Sequence, residues 1–193
     1  MTQPSMSPVP QRHMQQVPQP VLPRRSSRMP PVPLPRKRGI TTPERLLEIR
    51  FFHRAELFIV GAHGGSGESV IAGLDPQWVA TGHCFPADGD LLICCKRSAY
   101  GLECGRMALQ QHLSGGAGCS RLMGLVLIDD VPGKIPKELK RFSDLVKSLA
   151  PATIEVPFDR MLRLEPYPPD EWSGFRRQHS AIASLLRSRN NHQ

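Results

Sequence analysis

The chain has 193 residues and a formal charge of +8, enough for one ordinary domain with its own core and too short for two once an extended tail is set aside. The charge is unevenly placed: residues 1–43 hold seven Lys/Arg and no acid, whereas residues 44–193 hold 18 Lys/Arg against all 17 acids, a net of +1. A near-neutral body argues against a domain that reads nucleic acid through a broad basic face, so attraction to DNA or anionic lipid would have to come from the tail.

Eleven of the 20 prolines fall in residues 1–43, with no Phe, Tyr or Trp. Proline removes backbone donors, and the sparse apolar side chains cannot offset the entropy of ordering. This stretch is expected to be a disordered, Pro-rich basic tail with local polyproline character. Residues 44–193 are expected to form one domain. No run of 18 apolar residues exists, and the N-terminus lacks the apolar core of a signal peptide, so a cytoplasmic location is expected. Arg24, Arg25, Arg28, Arg36, Lys37 and Arg38 could make non-specific phosphate contacts on DNA. The run Pro30-Pro31-Val32-Pro33-Leu34-Pro35 could dock a protein partner's aromatic groove, or the whole tail could be a solvated linker. The partner is not named by the sequence, and a homodimer is left open.

Thr42-Pro43-Glu44 can start a short helix through Arg50, with Thr42 as cap. Leu57-Phe58-Ile59-Val60 is a continuous apolar run stopped by glycine, the pattern of a strand buried on both faces. Similar runs follow at Leu91 to Cys95 and Leu122 to Ile128, with a weaker one at Thr153 to Phe158. Helical spacing fills the gaps: Leu102, Leu109 and Leu113 within 101–113, and Leu139, Phe142, Leu145, Val146 and Leu149 within 136–149. A closing helix is expected over 170–189, from Trp172, Phe175, Ile182, Leu185 and Leu186. Strands alternating with helices imply a three-layer α/β domain with a mostly parallel sheet of about four to five strands. The five cysteines contain no CxxC pair. Cys94 and Cys95 are read as small buried hydrophobes, and His83-Cys84 lacks partners at zinc-ligand spacing.

The first strand runs into Gly61-Ala62-His63-Gly64-Gly65-Ser66-Gly67-Glu68-Ser69 and then into the apolar start of a helix. Closely spaced glycines at a strand-to-helix turn let backbone N–H groups converge, which suits a phosphate held by Gly64, Gly65, Ser66, Gly67 and Ser69. A phosphate loop of the form GxxxxGK[ST] would have lysine at position 68 and glycine at position 62; here those positions are Glu68 and Ala62. An anion in place of a cation costs about 4 kcal/mol per contact at 4 Å and an effective dielectric of 20.

Gly64 to Ser69 resembles the deviant KGGxGK[ST] loop of the ParA/MinD-type ATPases, with His63 where their extra signature lysine stands and Glu68 where the main one does. Ile154-Glu155-Val156-Pro157-Phe158-Asp159 resembles their "IPYD"-like segment. The stretch from about Leu57 to Arg163 resembles a family of unknown function found in actinobacteria and their mobile elements. Its shared features are a GAHGGxG loop, an R-x-x-x-GL segment (Arg97 to Leu102), a GLVL strand leading into D-x-PG (Gly124 to Gly133), and a VP strand end. The resemblance implies a reduced P-loop fold of the ParA/MinD type. ParA-type enzymes carry further strands after the loop, and the 16 residues from Asp75 to Asp90 are expected to leave no room for another strand–helix pair.

Asp129, after Leu125-Val126-Leu127-Ile128, looks like a Walker B ending and is the weak candidate for a metal ligand; it could equally end a strand before the Pro132-Gly133 turn. His63-Gly64-Gly65 also resembles an esterase oxyanion loop, but no GxSxG elbow accompanies it. His63 is therefore read as a turn residue. No catalytic residue is assigned, and a nucleotide or phosphate is the candidate ligand. The expectation is a catalytically degenerate P-loop domain acting as an accessory or regulatory protein of a mobile element, in maintenance, partition or transfer. The alternatives are a DNA-associated adaptor tethered by its tail, and an active ATPase with a deviant loop.

Overall fold

The computed structural model describes residues 47–160 and 175–190. Chain contacts divide the protein into residues 1–39 and 40–193, and every described residue belongs to the second unit. The seven tail cations, Trp172 and the first part of the expected 42–50 helix lie outside the described residues.

The apolar runs form β2 (Leu57–Gly61), β5 (Asp90–Lys96), β6 (Arg121–Ile128) and β7 (Thr153–Val156). With the short β3 (Trp78–Ala80) they make a five-stranded sheet in the order β3-β2-β5-β6-β7, parallel at every pairing. β2 is buried along its whole length, which is why it reads as an unbroken apolar run. Alternate residues feed two cores. Phe58, Val60, Ile93, Cys95, Leu125 and Leu127 pack with α2 (Ala99–Leu113) and α3 (Lys137–Lys147). Leu57, Ile59, Leu92, Cys94, Val126 and Ile128 pack with α1 (Glu68–Ala72) and α4 (Arg176–Asn190), the latter through Ile182 and Leu186. The expected three-layer arrangement is present. Each fully buried leucine or isoleucine contributes roughly 2 kcal/mol of transfer free energy.

One expectation is corrected. Glu48–Arg50 is a strand, β1, paired in parallel with β4 (Cys84–Pro86) in a separate two-stranded sheet, where a helix was expected. The competing force is long-range. Gln111 of α2 accepts from the Leu47 N–H through Oε1 at 3.1 Å and donates through Nε2 to the Leu47 carbonyl at 2.8 Å and to Gly116 O at 3.0 Å. Its side-chain amide acts on Leu47 as a neighbouring strand would, and Leu47 is buried. The span from Asp75 to Asp90 holds two short strands, β3 and β4, and no helix, so it adds no strand–helix pair. They fit because α1 is only five residues long and each of these strands only three.

Numbered within the five-stranded sheet alone, the strands lie in the order 2-1-3-4-5, a doubly wound arrangement whose direction of winding reverses between β2 and β5. Such a reversal leaves a crevice at the carboxyl ends of the two strands. Here that crevice lies between the glycine loop after β2 and the Lys96-Arg97-Ser98 turn after β5.

Candidate functional site

The loop from Ala62 to Gly67 starts with a turn in which the Ser66 N–H donates to His63 O at 3.1 Å, and Gly65 takes φ +72° at its third position. Gly67 precedes α1 with φ +92°, and a Cβ there would sit 2.5 Å from Ile128 Cδ1. Only glycine meets both demands. It gives α1 no side-chain cap, so the first N–H groups of the helix are left for solvent or a ligand.

His63 joins the two loops of the crevice. Its Nε2 accepts from the Lys96 N–H at 3.1 Å, which places the proton on Nδ1, and Nδ1 donates to Gly64 O at 2.9 Å. The buried ring meets Tyr100 edge-on at 5.6 Å. Next to it, a Cβ on Gly101 would collide with Lys96 O and lie 2.9 Å from His63 Nε2. The glycine of the R-x-x-x-GL segment is thus required by the close approach of α2, whose N-cap Ser98 accepts from Gly101 N at 3.1 Å.

The expected phosphate-binding residues separate into two groups. Gly64 and Gly65 are exposed, with open space where a Cβ would be, and Ser69 is exposed. Ser66 is fully buried; its hydroxyl donates to Glu68 Oε2, and its carbonyl accepts from the Cys94 thiol at 3.3 Å. The Glu68 carboxyl carbon would be 2.9 Å from a Cβ on Gly61, so this side chain folds back over the end of β2. Around the loop lies a cavity of about 380 Å³ lined by Gly65, Gly67, Glu68, Ser69, Val70, Lys96 and Ile128.

Lys96 is the residue sequence reasoning missed. The last residue of β5, it brings a cation to the glycine loop from the neighbouring strand, and among the described residues its ammonium forms no ion pair. The signal existed in the sequence as a lysine closing an apolar run, but its meaning depended on knowing that β5 lies beside β2.

Asp129 is placed on the other face. Its Oδ1 lies 3.1 Å from Arg97 Nε, an ion pair whose geometry misses a hydrogen bond. The same guanidinium bonds Glu155 Oε2 at 2.6 Å, and Lys147 lies 2.9 Å from both Glu155 and Asp144. Burial pushes the Asp129 carboxyl up, with Arg97 opposing and Glu155 adding to the rise. Burial would push Glu155 up too, but hydrogen bonds from Arg97 and Lys147 hold it below its ordinary value. A guanidinium already faces Asp129 where a metal ion would have to sit. Burial raises the Cys94 thiol well above its ordinary range and the Cys95 thiol to about 12, which removes both as nucleophiles. Among the described residues, no three His, Cys, Asp or Glu side chains are grouped to hold a metal, and no helix is long and apolar enough to cross a membrane.

Fold and site together define a doubly wound α/β domain with a glycine loop at its winding reversal. The chain belongs to a family of unknown function, DUF6668, whose model matches residues 55–173, well over half of its length. Neither the search of curated proteins nor that of solved structures found a match.

Proposed function

We propose that the glycine loop binds the phosphate of a small anionic ligand, free phosphate or the phosphate end of a nucleotide, without hydrolysing it. On this reading the domain is a catalytically degenerate P-loop module of ParA/MinD type. It serves as an accessory or regulatory protein, in maintenance, partition or transfer of a mobile element. The observation that carries the reading is Lys96. A lysine from β5 lines the loop cavity and offers the cation that position 68 does not. The absence of hydrolysis is supported by how the other charged groups are engaged: Glu68 is bonded to Ser66, and Asp129 is paired with Arg97 on the far face.

Calorimetric titration with phosphate and with magnesium ATP tests this. The unaltered protein should bind without turnover, Lys96→Ala should weaken binding about tenfold, the loss of one charge-assisted contact, and Glu68→Lys should tighten it. Failure of the unaltered protein to bind either ligand would sink the site, while steady ATP turnover would replace this reading with that of an active ATPase. A second reading rests on the seven cations and no acids of residues 1–43: a DNA-associated adaptor held by its tail. Deleting those residues should then abolish salt-sensitive DNA binding; unchanged binding refutes it.

A further inference from the structure

Gly64 is a glycine that the fold does not need. The Ser66 N–H donates to His63 O, closing a turn over residues 63–66 in which Gly65, third in the turn, has φ +72°. That third position is where a turn of this kind demands glycine. Gly64 stands second, where most residues are accepted, and its φ is not positive. A Cβ on Gly64 would meet no atom within 4 Å, so packing does not exclude a side chain there either. By contrast, Gly61, Gly67 and Gly101 each have an atom closer than 3.0 Å to where a Cβ would stand. A glycine left bare towards open space lets a molecule from outside approach the backbone closely.

Tyr100 lies beside it. This is the second residue of α2, and its ring meets that of His63, the chain neighbour of Gly64, at 5.6 Å. Tyr100 is 70% exposed, so the side chain adds little to the core and its ring is open to solvent. His63 Nε2 also accepts from the Lys96 N–H, and Lys96 lines the loop cavity. A single imidazole therefore separates an open aromatic ring from the backbone of the residue that brings the cation.

We infer that the ligand of the glycine loop is a nucleotide whose phosphate end lies at Lys96, whose sugar crosses Gly64 and whose base stacks on Tyr100. This rests on the phosphate-binding reading and narrows it, since free phosphate would leave both Gly64 and Tyr100 without a part. A ligand at a winding reversal lies across the carboxyl ends of two strands. Here the loop after β2 supplies the open backbone at Gly64, and the turn after β5 leads directly to Tyr100. Every base has a π face, so a single aromatic platform accepts purines and pyrimidines alike and selects a nucleotide over a simple phosphate. Tyr100 and Gly64 thus set the class of ligand, and Lys96 holds its charge.

Calorimetric titration of the full chain with magnesium ATP and with magnesium tripolyphosphate, which carries the phosphate chain without sugar or base, is the test. ATP should bind about tenfold more tightly than tripolyphosphate, the contribution of one stacked base. Tyr100→Ala should remove that margin and leave tripolyphosphate affinity unchanged, whereas Tyr100→Phe should keep it. Gly64→Val should weaken ATP binding about tenfold or more and spare tripolyphosphate. Its thermal midpoint should not fall, because the new side chain enters open space in the unliganded protein. Equal affinity for ATP and tripolyphosphate, or a Tyr100→Ala variant that binds ATP as the parent does, would overturn the inference and leave the phosphate site in place. Binding of neither ligand by the parent would remove that site, and the base platform with it. A lowered midpoint in Gly64→Val would show that the fold does need this glycine and overturn the path of the sugar across it.

Discussion

Lys96 closes β5 and Arg97 follows it directly, and these consecutive cations lie on opposite faces of the sheet. On the α1 face, Lys96 lines an open cavity with Glu68 and Ser69 and has no ion-pair partner among the described residues. On the α2/α3 face, the Arg97 side chain is 8% exposed and lies between Asp129 and Glu155, whose side chains are 25% and 48% exposed. The neighbours teach that basic residues at a strand end do not share a role. A cation already neutralised by its own chain supports the fold, and one left facing a cavity is available to a ligand.

That contrast can be broken most forcefully at Arg97. Replacing Arg97 by Met should cost about 2 to 3 kcal/mol in urea unfolding, because Asp129 would lose the guanidinium that faces it and stand beside Glu155, another anion; Glu155 is half-exposed and keeps Lys147, which holds the loss below that of a fully buried pair. Gly101→Ala should follow, at roughly 2 kcal/mol, since its methyl group meets the Lys96 carbonyl, which cannot move without shifting β5 or α2. Lys96→Ala should change unfolding free energy by less than about 0.5 kcal/mol. A large loss there would mean that Lys96 is structural too, and the contrast would fail.

Acid titration gives the smallest effect. Glu155 is held below its ordinary 4.5 in the folded state, so the stability it adds is complete above that value and disappears as pH falls through its lowered folded value. Asp129 is raised above 3.8 by burial, so it favours the fold on protonation and offsets part of that loss. Denaturation midpoints measured between about pH 6 and pH 3 should therefore fall less steeply in the parent than in an Asp129→Asn variant.

The sequence made the main strands legible because β2, β5 and β6 are buried enough to leave unbroken apolar runs, and α2 and α3 legible because each covers one face of the sheet. Three short strands left no such mark. β1, β3 and β4 have three residues each, too few for a period to show, and β1 in addition follows a sequence that locally favours a helix start. The glycine loop was visible as a local pattern. Lys96 was not, because its role comes from strand order, which no local pattern encodes. Asp129 was visible as a strand-end acid, but the buried arginine that claims it lies 32 positions earlier in the chain, at the end of β5.

Gln111 gives the start of the domain a mechanical character. Because one side-chain amide grips both polar groups of Leu47 and also the Gly116 carbonyl, tension transmitted through the preceding residues would be passed first to the far end of α2. The five-stranded sheet and its glycine loop lie further along the path of that force, shielded from a pull on the N-terminus by a single glutamine acting as a cleat.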